Sequence, residues 1–394
     1  MAVRIVSQVR NLADPIVSPV RFSLLPALYL CGAMTEYSDS QKARRRVYTW
    51  IMTGVVMLII QVVLGGITRL TGSGLSITEW NVVTGTLPPL SHAQWLDEFH
   101  KYQQTPQYRL LNTGFTLSDF KFIFFWEWFH RFWARMIGVV FLVGFVYLVS
   151  KKYLRKEMHQ PLLLLFLFGA FQGAIGWIMV ASGLTGDAVY VKPTRLALHF
   201  IFALGLISCA YWFALELKVD KRNLVVNKGM RKFTWTIIIL LFVQLVFGAL
   251  MAGHKAATAA PTWPDINGSM MPSYAFTGPF FKDLVSNKIT IHFMHRNLAY
   301  LLFLLILMYG WKSFKLKGTN TAFKKLTWYP IVFVILQVLL GILSVLFSTH
   351  IDANRWGSFE WMAQLHQVVG MLLLLSFVAM LFFIRSRSTI GFNR

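Results

Sequence analysis

Eight largely apolar runs, each about as long as a bilayer is thick, constrain this chain more than any other feature. They fall near 48-67, 122-149, 161-182, 194-217, 233-253, 290-311, 327-349 and 359-384. A hydrocarbon core about 30 Å thick needs roughly 20 apolar residues of helix. Within it every backbone polar group must find its partner inside the protein. Membrane barrels meet that demand with short alternating strands, a pattern these runs lack. The expected fold is therefore an all-α polytopic membrane protein with eight transmembrane helices. A content of 56% hydrophobic and 14% charged residues excludes a soluble globular chain.

The formal net charge of +22 raises the question of nucleic acid, but its distribution answers it. Lys and Arg cluster between alternate runs, at 42-46, 151-156, 218-232 and 312-325, and again at Arg385 and Arg387. Basic loops stay on the cytoplasmic side of a membrane. Both termini are thus expected on the cytoplasmic-type side, and loops 68-121, 183-193, 254-289 and 350-358 outside. The excess charge then serves topology and attraction to the anionic lipid bilayer; no nucleic-acid recognition motif accompanies it. Cys31 and Cys209 lie far apart and predict neither a disulfide nor a metal site. Residues 1-40 are expected to form a mobile N-terminal extension without a function of its own, or to precede a true start at Met34. Around 91-102 the long first outer loop should be helical and could cover the site below it.

A spacing recurs along the chain. Gln61 and Gly65 lie one helical turn apart in the first run, and the same Q-x-x-x-G returns as Gln172/Gly176, Gln244/Gly248 and Gln337/Gly341, each time in an odd-numbered run. The small residue permits close helix approach and the amide offers an interhelical hydrogen bond. Displacing the first half by 183 residues lays Gln61, Gly65 and Trp80 on Gln244, Gly248 and Trp263. A displacement of 165 lays His130, Gln172 and Gly176 on His295, Gln337 and Gly341, and one of 167 lays His199 on His366. The chain thus divides into two four-helix units, 41-219 and 220-394. An even number of spans per unit gives both the same orientation, related by a pseudo-twofold along the membrane normal.

His130, His199, His295 and His366 occupy the second, fourth, sixth and eighth runs and are expected within about two turns of the outer end of each of these even-numbered helices. A lone intramembrane histidine is usually a packing residue; a pair at one depth, repeated in both units, points to two-histidine haem ligation. Arg69, Arg131, Arg135, Arg195 and Arg296 lie near the outer face, where they could anchor haem propionates or snorkel to headgroups. Glu127 precedes His130 by three residues and so shares its helix face. At the 165 displacement it falls on His292, so the two units differ in ionisable chemistry one turn from a ligand. A carboxylate there suits proton transfer or charge stabilisation at an oxidised carbon, which makes Glu127 the candidate catalytic residue. The structural alternative is an ion pair with Arg131 or Arg135.

The run GGITRLTGSGLSITEW, the E-x-x-H-R motif at 127-131 and the duplicated histidine pairs together resemble the haem A synthase family. The resemblance spans most of residues 46-384. It implies oxidation of a peripheral methyl of haem O to the formyl of haem A, for the biogenesis of terminal oxidases. It further implies that His130 and His199 hold the substrate haem O in the first unit, while His295 and His366 hold a haem b cofactor in the second, making all four metal ligands. One branch of the family carries a cysteine pair in the first outer loop; this chain has none there and is similar to the other branch, which includes the mitochondrial form. A haem O synthase and an electron-exchange protein are the partners this implies. A homo-oligomer is compatible with the sequence, and a bacterial cytoplasmic membrane is expected over the mitochondrial inner membrane. Two readings stay open: a di-haem electron-transfer subunit linked to quinol, and a haem insertion or transport protein.

Overall fold

The computed structural model describes residues 41–79, 84–351 and 356–385; the N-terminal extension, Cys31 and Trp80 lie outside the described residues. The helices are α1 (Gln41–Leu70), α2 (His92–Gln103), α3 (Pro106–Leu111), α4 (Leu117–Ser150), α5 (Lys156–Ala181), α6 (Pro193–Lys218), α7 (Lys228–Gly253), α8 (Phe280–Ser286), α9 (Lys288–Phe314), α10 (Thr321–Leu346) and α11 (Ser358–Phe383). Among the described residues eight of them, α1, α4 to α7 and α9 to α11, are long and apolar enough to span a membrane. The expected all-α multi-pass fold is the observed one.

Polar caps, not the apolar runs, set where several helices begin. Thr116 and Asp119 form a capping box that starts α4 at Leu117, five residues before its apolar run. Asn227, Asn287 and Asn320 accept the first free N–H groups of α7, α9 and α10, each cap contributing about 1 kcal/mol. Pro193 opens α6 at its first position, where a missing N–H costs nothing. His130 therefore lies 13 residues into α4, whereas His199, His295 and His366 lie six to eight residues into theirs.

Lipid provides no hydrophobic push between helices, so close fit and interhelical hydrogen bonds decide the packing. α11 is the most buried span and packs on α1, α6, α7 and α10; α4 and α5 are the least buried. Met371 and Leu375 of α11 join a core with Val47, Leu162 and Phe213. Its Leu373 and Phe377 join a second core with Ile237, Ile306 and Tyr309. Along the seam between the two halves, Gln364 donates to the Val63 carbonyl at 3.1 Å and Gln367 to that of Val62 at 3.0 Å. Gly253 brings α7 against α6, since a Cβ there would stand 2.8 Å from Pro193 Cα. At the basic end, β1 (Val225–Val226) pairs in parallel with β2 (Ile384–Arg385), and Arg231 donates to the Ile384 carbonyl at 2.6 Å.

The helix expected near 91-102 forms as α2, with Ser91 and Gln94 as its capping box. Trp95, Phe99 and Tyr102 pack it against Phe120 and Phe124 of α4. Tyr102 is fully buried, which pushes its phenol up to about 12.

Candidate haem site

One cavity of about 1360 Å³ reaches into both halves of the bundle and is lined by His130, His199, His295 and His366 together with Glu127 and His292. It exceeds the ~300–1,000 Å³ typical of a pocket for one small ligand. All four histidines are half-buried because their rings face this space.

The Q-x-x-x-G spacing acquires its meaning here, because each pair cradles the histidine of the following span. Gln61 donates to the His130 carbonyl at 3.2 Å, Gln172 to that of His199 at 2.9 Å and Gln244 to that of His295 at 3.0 Å. One turn on, each glycine lies beneath the imidazole. An added Cβ would stand 3.3 Å from His130 Nε2 at Gly65, 2.8 Å from His199 Cε1 at Gly176, 3.2 Å from His295 Cε1 at Gly248 and 2.9 Å from His366 Cε1 at Gly341. The fourth cradle departs from the others. His366 Nδ1 lies 3.0 Å from the Gln337 carbonyl, and the Gln337 amide nitrogen 3.3 Å from His366 Nε2. An Nδ1–H donated to that carbonyl leaves Nε2 unprotonated, so that it accepts from the Gln337 amide here and is the nitrogen a metal would take, with the carbonyl as the second partner that orients a ligating histidine. Sequence reading placed these glutamines on helix–helix interfaces but not their histidine partners.

The second pair can be tested directly against haem. The His295 and His366 ring centroids are 6.2 Å apart, with planes at 73°. Two metal–nitrogen bonds of about 2 Å, plus about 1 Å from each nitrogen to its ring centre, add to about 6 Å, so the separation fits two imidazoles on one iron. Among the described residues no three His, Cys, Asp or Glu side chains gather as a metal cluster. The side-chain oxygens of Gln61, Gln172, Gln244 and Gln337 are buried without a hydrogen-bond partner.

Glu127 is 2% exposed and both of its oxygens are engaged. Oε1 pairs with Arg131 at 2.5 Å; Oε2 accepts from Ser76 Oγ at 2.8 Å and from the Ile77 amide at 2.9 Å. The Arg131 ion pair is the one anticipated as the structural alternative; the bonds to the loop after α1 were not legible in sequence. Arg131 also donates to the carbonyls of Ile77 and Glu79. In the second half Arg296 donates to the carbonyls of Thr262 and Asp265. Glu79 and Thr262 correspond under the displacement of 183, so both units clamp the same loop position with the arginine after the histidine. Asp265 is held well below the usual carboxylate range by the Gly268 amide and the Thr262 hydroxyl.

The remaining arginines separate. Arg69 lines the cavity and crosses the seam to donate to the Ala252 carbonyl at 3.4 Å. Arg135 lines the cavity one turn beyond Arg131. Arg195, at the start of α6, donates to the Ile178 carbonyl at the end of α5, 2.9 Å away.

Comparison with known proteins places the chain in a family. The profile of a family described as cytochrome oxidase assembly protein matches residues 48–378. A heme A synthase of Bradyrhizobium diazoefficiens is 40% identical over 316 residues, covering 79% of this chain and 87% of the relative. One of Flavobacterium johnsoniae is 39% identical over 313 residues, covering 78% and 91%, and one of Rhodopseudomonas palustris is 38% identical over 342 residues, covering 86% and 91%. With most of its length matched at this level, the chain belongs to the haem A synthase family of cytochrome oxidase assembly proteins.

Proposed function

We propose that this chain is the membrane oxidoreductase that converts haem O to haem A, oxidising a peripheral methyl to a formyl group for terminal oxidase biogenesis. The observation that carries the reading is the fourfold cradle: four histidines on one cavity, each seated on a Gln–Gly pair. A carrier needs one such site and no chemical asymmetry between units. This chain has two, with Glu127 in one and His292 at the matching place in the other.

The first unit, 41-219, is assigned the substrate haem, between His130 and His199, and the second, 220-394, a haem b, between His295 and His366. Bound haem b supplies electron transfer, and haem O supplies the methyl that is oxidised. The protein's own part is positional and electrostatic. The glutamines fix the backbone beneath each ligand, and the glycines leave room for the rings. Glu127, on the cavity wall, ties the loop after α1 to α4 and holds Arg131 in one place. Glu127 is assigned the essential charge of the first unit, which keeps fixed dipoles over the substrate in a dry site. Arg69, Arg131, Arg135 and Arg296 are offered as the positive wall facing the haem carboxylates.

The cavity end lies toward the outer face, with both termini on the cytoplasmic-type side of a bacterial cytoplasmic membrane. A haem O synthase and an electron-exchange protein complete the reaction sequence, since the substrate must be delivered and electrons removed. The test is pigment analysis of the purified protein by reversed-phase chromatography, alongside conversion of haem O in membranes. Haem b together with haem O, haem A or an oxidised intermediate is the expected result. Haem b alone, with no conversion, would make the protein a plain cytochrome.

A further inference from the structure

The two arginines that follow a histidine add charge to the cavity wall but already give hydrogen bonds to the protein itself. Arg131 serves Glu127 and two loop carbonyls, and Arg296 serves Thr262 and Asp265. His292 is different. It has no exposed surface, it lines the cavity one turn before His295 on α9, and among the described residues neither of its ring nitrogens has a hydrogen-bond partner. Leaving such a group buried and unpaired is costly, and buried polar groups in native structures are almost always satisfied. The missing partner is then a ligand.

Among the described residues, Arg69 Nε and the Trp356 indole nitrogen are also buried donors without partners on the same cavity. Both belong at the second unit. Arg69 reaches across the seam to Ala252 of α7, and Trp356 immediately precedes α11, which carries His366. The matching position in the first unit is Glu127, an acceptor whose oxygens are saturated, so this set of donors is peculiar to the second. Donors without acceptors, one of them a guanidinium, call for an anion with several acceptor oxygens. An iron already held by a tetrapyrrole and two histidines has no place for His292 as a third axial ligand.

We infer that His292 donates a hydrogen bond to a propionate carboxylate of the haem b held between His295 and His366, with Arg69 and Trp356 completing the anion subsite. This rests on the assignment of haem b to the second unit made above. The neutral imidazole suffices, since one ring N–H is donated and the other nitrogen needs no proton.

The test uses the purified holoprotein and the variants His292→Leu, His292→Gln and Trp356→Phe. Haem b content, the low-spin optical spectrum, the propionate-bending band in resonance Raman spectra and the haem midpoint potential are measured. His292→Leu should keep low-spin haem b but shift the bending band and lower the potential, because the carboxylate charge loses a compensating dipole. His292→Gln, which keeps a donor, should recover much of both shifts, and Trp356→Phe should move them in the same direction as Leu by less. If Leu prevents insertion, the Gln and Phe variants carry the comparison alone. Bending bands and potentials identical to wild type in every variant that binds haem b would overturn the inference, as they would if His292 faces only water or an inorganic anion. Retention of an unperturbed low-spin haem b in His295→Ala would instead overturn the assignment underneath it.

Discussion

Gly341 lies so close beneath His366 that a methyl group on it would stand 2.9 Å from the imidazole Cε1. The same relationship joins Gly176 to His199 at 2.8 Å, and more loosely Gly65 to His130 and Gly248 to His295. Ring and glycine belong to different helices, so the contact couples helix packing directly to where a ligand nitrogen points.

Gly341→Ala and Gly176→Ala should therefore displace their histidines. Overpacking of this kind costs about 1–3 kcal/mol. The Gly341 variant should show weakened or altered low-spin haem b, and the Gly176 variant should lose haem O conversion while its haem b is normal. Gly65→Ala and Gly248→Ala should be milder, since a few tenths of an ångström of movement relieves them. Optical spectra and conversion rates at matched protein level check the ranking; equal effects at all four glycines would contradict it.

Replacing His295 or His366 with Ala should remove haem b while the protein still inserts, because the seam bonds of Gln364 and Gln367 and the core around Phe377 are untouched. Spectra of the two purified variants decide. A full complement of unperturbed bis-histidine haem b in both would refute the ligand assignment.

Glu127→Gln keeps the shape of the side chain and removes its charge. Breaking one side of a buried ion pair is strongly destabilising, about 3–5 kcal/mol, and here the loss falls on Arg131 and on the loop held through Ser76 and Ile77. Conversion of haem O should drop severely, with haem b in the second unit retained as the internal control. Ser76→Ala removes one loop contact and leaves the carboxylate in place, so it should cost far less. Near wild-type conversion by the Gln variant would return Glu127 to a purely structural role.

Asp265 gives the second unit an acid limit. Its folded-state carboxyl lies below its unfolded value, so the stability it contributes is present above the usual carboxylate range and is lost as pH falls through the depressed value. The Thr262 and Asp265 carbonyls hold Arg296, next to His295. Acidification below about pH 4 should thus loosen this loop and release haem b, and Asp265→Asn should flatten that dependence. The haem b spectrum recorded against pH tests it; superimposable profiles for wild type and variant would count against it.

The orientation is open to cysteine labelling. Cysteines at Thr185 and Met270, both exposed at the cavity end, should react with an impermeant thiol reagent applied from outside, and cysteines at exposed Ser150 and Lys317 should not. Reversed labelling would turn the protein over in the membrane.

The sequence by itself determined the eight spans, the recurrence of Q-x-x-x-G in the odd-numbered runs and of histidine in the even-numbered ones, and the unequal residues at 127 and 292. Hydropathy and helical spacing belong to one segment at a time and survive without knowledge of its neighbours. What only the tertiary structure decided is which group meets which. The turn of each helix about its axis seats the glutamines on histidine carbonyls. The path of the loop after α1 brings Ser76 and Ile77 to Glu127 and commits Arg131. The approach of α5 and α6 draws Arg195 to Ile178, and the crossing of α9 over its neighbours leaves His292 buried with no hydrogen-bond partner among the described residues. Such contacts join residues tens to hundreds of positions apart and depend on helix rotation and loop course, neither of which a periodicity along one strand of sequence carries.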